Sequence, residues 1–160
     1  EFKTMEYAEL QKHIPDGKLL GAEVEAEDDK EAIILLVFDE GTGYRAAGDL
    51  MGVPQENWGP DGIDLEDLGS VLCELVNIVG ASILNELSNK TGLSITPTVP
   101  DFVQGDAAGI ISWLDGKESA SSGLKVLYIT ADFFRQDLEF LGRLFMIPSS
   151  ATLARVVNKL

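Results

Sequence analysis

Residues Asp64 to Gly92 read as a single amphipathic helix, and a helix of that length has to bury one entire side. At about 100° per residue, Leu65, Leu68, Leu72, Leu75, Val76, Val79, Ile83 and Leu87 share one broad arc, which predicts the core face. Asp64 is placed to cap the N-terminus and Gly92 to close the C-terminus. Ser70, Glu74 and Asn77 follow at i, i+4 and i+7, so they lie within about 60° of one another on the opposite side. A carboxylate and a carboxamide are thereby presented together to solvent on a rigid element.

The rest of the composition narrows what such a pair can serve. The chain has 160 residues, enough for one domain with a sizeable core, and residues 1–160 are read as that domain. Residues 1–17 are either an additional helix or a remnant of cloning. Twelve basic residues against 27 acidic ones give a formal charge of −15, which leaves no patch for nucleic acid or for an acidic membrane. No apolar run reaches the roughly 18 residues expected of a membrane span, and the N-terminus lacks a signal-peptide pattern, so a cytoplasmic location is expected. Cys73 is the only cysteine and His13 the only histidine, which removes disulfides, cysteine-based zinc sites and any well-supported Ser-His-Asp arrangement. Cys73 reads as a small core residue and His13 as a surface one.

Taken in order, Thr4 to His13 has the pattern of a short helix, and Lys18 to Glu25 that of a strand turned back at Asp28-Asp29-Lys30. Ala32 to Phe38, AIILLVF, is a continuous β-rich run and the best candidate for a strand buried on both faces. Thr42 to Met51 is helical and is stopped by Gly52 and Pro54; Gln55 to Gly62 is a loop. Leu93 to Val99 is an edge or connecting segment because of its proline. Asp106 to Leu114 is a short helix and Lys117 to Gly123 a polar loop. Leu124 to Thr130 and Leu138 to Ile147 form a second strand pair, and Pro148-Ser149 open a last helix. An offset of 110 superposes Thr42 on Thr152, Arg45 on Arg155 and Leu50 on Leu160, and aligns Ile34 and Val37 with Leu144 and Ile147. Two such units, each too small to cover its own sheet face, favour one shared sheet and core. The expected fold is an α/β (α+β) sandwich: a mostly antiparallel sheet with packed helices and a pseudo-twofold repeat.

Ser70-x3-Glu74-x2-Asn77, with Pro100 after a further 22 residues, resembles the signature of the CheC/CheX/FliY family of chemotaxis phosphatases. MGVP, DLEDLGS, ELVNIVG, LSITPTVP and the terminal FMIPSSATLARVVNKL resemble the family as well, over about Gly17 to Leu160. Ser82-x3-Glu86-x2-Asn89 repeats the local spacing, but Ser112 stands where its proline should be, and its members rotate about 100–160° from Ser70 toward the apolar arc.

The resemblance implies hydrolysis of the aspartyl phosphate of a CheY-like response regulator. By it, Asn77 orients the attacking water, Glu74 engages a lysine of the regulator, and Ser70 and Pro100 support the site. It implies no cofactor or metal of the chain's own, with Mg2+ held by the phosphorylated regulator. It adds a CheD-like protein as a candidate partner and leaves a homodimer and a single chain both open. The chain carries one good motif copy: Glu9 is followed at the motif spacing by Lys12 rather than Asn. Either one site is the natural state, or a segment with a second site precedes residue 1. The competing expectation is a non-catalytic adaptor or flagellar-switch module that holds a regulator without hydrolysis.

Overall fold

A computed structural model describes residues 2–26, 32–92, 94, 96–117, 125–135, 138–149, 152 and 154. Its centre is the apolar run that the sequence singles out. Strand β3, Ala32–Asp39, is buried at every position through Phe38, and the alternation of a strand sends its side chains to two different cores. Ile34, Leu36 and Phe38 pack into one cluster beneath two helices, α1 (Glu40–Met51) and α2 (Leu65–Thr91). Ile33, Leu35 and Val37 pack into a second cluster on the other face, with Ile110 and Leu114 of α3 (Ala107–Asp115) and Leu10 of a 3-10 segment, Tyr7–His13.

The sheet has six strands in the order β1-β5-β6-β3-β2-β4, every pair antiparallel. Here β1 is Phe2–Glu6, β2 Leu19–Glu25, β4 Asp101–Gly105, β5 Lys125–Arg135 and β6 Leu138–Pro148. The hairpins β2–β3 and β5–β6 lie side by side with β3 against β6, as two halves sharing one sheet require. The register makes the symmetry explicit. Leu35 faces Phe145, and these positions differ by 145 − 35 = 110, the offset of the sequence echo. A twofold axis normal to the sheet passes through that pair. Such an axis keeps each face, and the aligned residues obey it: Ile34 and Leu144 share the first cluster, Val37 and Ile147 the second. The symmetry extends to the edges, since β1 and β4 are each followed by a helical segment and each pairs with the other half's hairpin.

Several local expectations change. Thr4 to His13 is not one helix, because its first residues pair with β5 and only Tyr7–His13 turns. In the Leu93 to Val99 stretch, Pro97 makes only an isolated bridge to Ala26, and the edge strand begins after Pro100, where N–H donors become available at successive residues. Ser149 Oγ accepts from the Thr152 N–H at 3.2 Å, and Thr152 and Ala154 are helical, as the Pro148-Ser149 start predicts. The remaining residues of that last helix, the Asp28-Asp29-Lys30 turn and residues 118–123 of the polar loop lie outside the described residues.

Lys117, read from sequence as part of that loop, is instead an anchor. Its Nζ donates to Glu23 Oε1 at 2.7 Å and to Glu25, and stands 4.4 Å from the centroid of the Trp113 ring. Glu23 is only 2% exposed, and its Oε2 has no hydrogen-bond partner among the described residues. Burial pulls the Lys117 ammonium toward neutrality, but its hydrogen bonds to Glu23 and Glu25 outweigh this and hold its pKa above the usual lysine range. Removing the cation strands a buried carboxylate, a loss of about 3–5 kcal/mol. Lys117→Met is therefore expected to lower the urea midpoint sharply, and adding Glu23→Gln should recover a measurable part of the loss.

Tyr7 Oη donates to Asp115 Oδ1 at 2.8 Å, joining the 3-10 segment to the end of α3. Burial first, and the Asp115 carboxylate second, push the phenol above its ordinary range. The folded state thus favours the neutral phenol. That contribution is complete below the unfolded value of about 10 and is lost as pH rises through the folded one. Tyr7→Phe is expected to cost about 1 kcal/mol at neutral pH and to shrink the alkaline decline in stability, measured by urea melts from pH 7 to 11.

Candidate functional site

The candidate residues stand on α2, whose ends are fixed by local chemistry. Asp64 accepts from the N–H groups of Glu66 at 3.0 Å and Asp67 at 2.9 Å, which satisfies two of the orphan donors of the first turn. Gly92, at φ 69°, closes the other end with its N–H on the Ser88 carbonyl at 2.8 Å. Asp64, Glu66 and Asp67 thus serve the helix start.

Two glycines set how the helix sits. A Cβ on Gly80 would lie 2.8 Å from Val24 Cγ1, and one on Gly69 would lie 3.1 Å from the Phe102 ring. The α2 backbone therefore touches down on β2 near one point and on β4 near another, three turns earlier. The buried side chains between and beside them, Leu68, Leu72, Val76 and Leu84, continue the i, i+4 spacing of Gly80. An i+4 ridge drifts about 40° per step around the helix, as it must when the helix crosses the strands at an angle. This corrects the straight arc expected from sequence. Leu84 is buried although it was not on that arc, Leu65 is 40% exposed, and Leu75, Val79 and Ile83 are half-buried. The side chain of Leu87 lies outside the described residues.

With that side seated, Ser70 and Glu74 are exposed and Asn77 is half-buried on the other. No hydrogen bond or ion pair joins Glu74 or Asn77 to a described side chain. Pro100, half-buried, immediately precedes β4. Cys73, the chain neighbour of Glu74, has its thiol pushed up by burial first and then by the charges of Asp101 and Glu23. Asp101 is the neighbour of Pro100 and opens β4, whose Phe102 ring lies against Gly69, one turn before Cys73, so this part of α2 runs over the start of β4. Cys73 is half-buried and His13 exposed. Among the described residues no three His, Cys, Asp or Glu side chains are grouped as metal ligands.

The second set does not turn inward as its helical angle suggested. Ser82, Glu86 and Asn89 are all exposed, since the slanted contact leaves that side of the last turns in solvent. What separates the two sets is engagement. Glu86 pairs with Lys90 at 3.2 Å and Ser82 Oγ donates to the Ile78 carbonyl at 3.0 Å, whereas Glu74 faces no cation among the described residues. One exposed residue was missed. Ile78, one turn beyond Glu74 and 57% exposed, was legible from its helical angle alone.

By length and composition alone α2 could cross a bilayer, contrary to the expectation of no such run. Its glycine contacts and buried ridge against the sheet account for that apolar character.

Residues 69–103 match the CheC-like family, a stretch that contains Ser70, Glu74, Asn77 and Pro100 and ends within β4. No curated protein matches the chain. Among solved structures, Thermotoga maritima FliY superposes with a TM-score of 0.65 at 15% identity, over 99% of this chain and 80% of that one. The FliM middle domain of Helicobacter pylori gives 0.63 at 10% identity, over 100% and 79%. That of Vibrio alginolyticus gives 0.59 at 10% identity, over 100% and 82%. These are likenesses of fold: mixed helices on an antiparallel sheet, as the sequence predicts. The family match covers residues 69–103 of the 160, and the likeness to FliY is one of fold.

Gly80→Val introduces branched bulk where only a hydrogen fits. Overpacking of this kind costs about 1–3 kcal/mol. A lowered urea midpoint is the expected outcome, whereas Ser70→Ala on the exposed face should leave it within about 0.5 kcal/mol of the parent.

Proposed function

We propose that the chain hydrolyses the aspartyl phosphate of a CheY-like response regulator, with Glu74 and Asn77 supplying the chemistry. The observation that carries this reading is the Glu74–Asn77 pair itself: unpaired with any described residue, with Glu74 exposed and Asn77 half-buried on a seated helix, and inside the segment that matches the CheC-like family.

Phosphoryl transfer needs little covalent assistance, so most of the gain comes from placing the nucleophile and balancing charge. The Asn77 carboxamide can accept a hydrogen bond from water while its N–H donates to a phosphoryl oxygen, and it brings no charge to repel the phosphate. Water attacks phosphorus opposite the acyl-phosphate bond, that bond breaks, and free aspartate and inorganic phosphate leave. Glu74 is unsuited to face the phosphoryl group and suited to bind an ammonium. Engaging a regulator lysine would orient the partner, leaving Asn77 over the phosphorus. Ser70, one turn before Glu74, steadies it or the partner, and Pro100 shapes the chain beside them. Mg2+ belongs to the regulator's own site. The reaction fits a cytoplasmic signalling setting, with a CheD-like protein as a further partner and either one chain or a homodimer as the working form.

The fold likeness to the FliM middle domains favours a second reading, a flagellar-switch or adaptor module that binds a regulator without hydrolysis. Phosphate release from a phosphorylated CheY-like protein separates the two. The parent should accelerate release, and Asn77→Ala should lose about 100-fold or more of that acceleration while still binding. Glu74→Ala should lose it through weakened binding. No acceleration alongside retained binding would leave the adaptor.

A further inference from the structure

The edge of α2 that presents Glu74 is not wholly polar. Ile78 lies at i+4 from Glu74 and i+1 from Asn77, at about 80° on a helical wheel centred on Ser70, with Glu74 at about 40°. It is 57% exposed, although its helix has buried positions to spare for apolar residues. Val71, half-buried, lies within about 20° of the same line two turns earlier. Apolar groups thus border the acidic group on the helix. The charge here has one sign. Glu66, Asp67, Glu74 and Asp101 are all exposed along this helix edge and strand start, on a chain with net charge −15.

We propose that Ile78 forms the apolar part of a docking surface for a folded protein that presents an ammonium group bordered by apolar side chains. The proposal rests on the reading of Glu74 as an ammonium acceptor, and it gives that site its partner specificity. Charge complementarity selects a cationic partner group, since a second acidic surface would be repelled. The ion pair alone would be exposed and weak in water. Covering Ile78 removes apolar surface from water beside the pair and adds binding energy that does not depend on it. Ile78 is a positioning and specificity residue, distinct from Asn77, which faces the reacting phosphorus. Its contribution should appear in binding and be insensitive to salt, whereas that of Glu74 should fade with salt.

The probe is a CheY-like receiver domain, phosphorylated with acetyl phosphate and Mg2+ for turnover and held with beryllofluoride for binding. Ile78→Ser, at an exposed position, should keep the parent's thermal midpoint. Ile78→Ser is expected to raise Kd and KM by about 10-fold at both 50 mM and 500 mM salt with kcat unchanged, and Ile78→Leu should restore them. Glu74→Gln should raise Kd more at 50 mM than at 500 mM. Parent-like Kd and KM in Ile78→Ser would overturn the proposal while leaving the phosphatase reading intact. Loss of binding in Ile78→Ser, with a parent that binds but never hydrolyses, would sustain the docking surface and remove the phosphatase. A parent that does not bind the receiver would overturn both.

Discussion

At Gly80 the α2 backbone lies so close to the sheet that a methyl group would come within 2.8 Å of Val24, and at Gly69 it comes nearly as close to Phe102. Glycine costs about 1 kcal/mol in a helix interior relative to alanine. Here that cost secures a close seat at two points on different strands. A helix touching down twice has little freedom to roll about its axis. The exposed face is thereby as fixed as the buried one, and Ser70, Glu74 and Asn77 keep their directions without hydrogen bonds to a described side chain. The proposed chemistry, which places a water and a charge, would need this pre-organisation more than it needs reactive groups.

Beneath the helix, the central β3–β6 pair carries the symmetry. Because Leu35 faces Phe145 on the twofold axis, each half contributes one hairpin and lends its edge strand to the other half. Neither half has a complete sheet alone, so folding of β2 and β4 under α2 is coupled to the whole molecule. On the opposite face, Tyr7 with Asp115 and Lys117 with Glu23 and Glu25 tie α3 to the 3-10 segment and to β2. The latter pair holds the strand on which Gly80 rests.

Much of this was legible in the sequence because its causes are local or periodic. Asp64 and Gly92 mark the ends of α2 through capping chemistry within a turn of each terminus. AIILLVF gave a strand buried on both sides, and an offset of 110 anticipated the axis through Leu35 and Phe145. What escaped depends on distant partners. β4 is five residues with only Val103 buried, and it is a strand because β2 supplies its ladder. Lys117 opens a polar run and looks solvated, yet its environment is made by Glu23 and Glu25 from the far end of the chain. The slanted ridge of α2, with Leu84 in and Leu65 out, follows from the crossing angle, which no single helix encodes. The Glu74–Asn77 pair was visible as a pattern and as a resemblance. Its separation from Ser82, Glu86 and Asn89 came from Lys90 and a main-chain carbonyl rather than from register.

The most direct test of the central claim is turnover by the parent chain. A phosphorylated CheY-like receiver in large excess would be followed for inorganic phosphate release as the chain is added at substoichiometric amounts. The account predicts a rate that rises in proportion to the chain, with many phosphates released per molecule. A rate equal to the receiver's own decay at every concentration would contradict it.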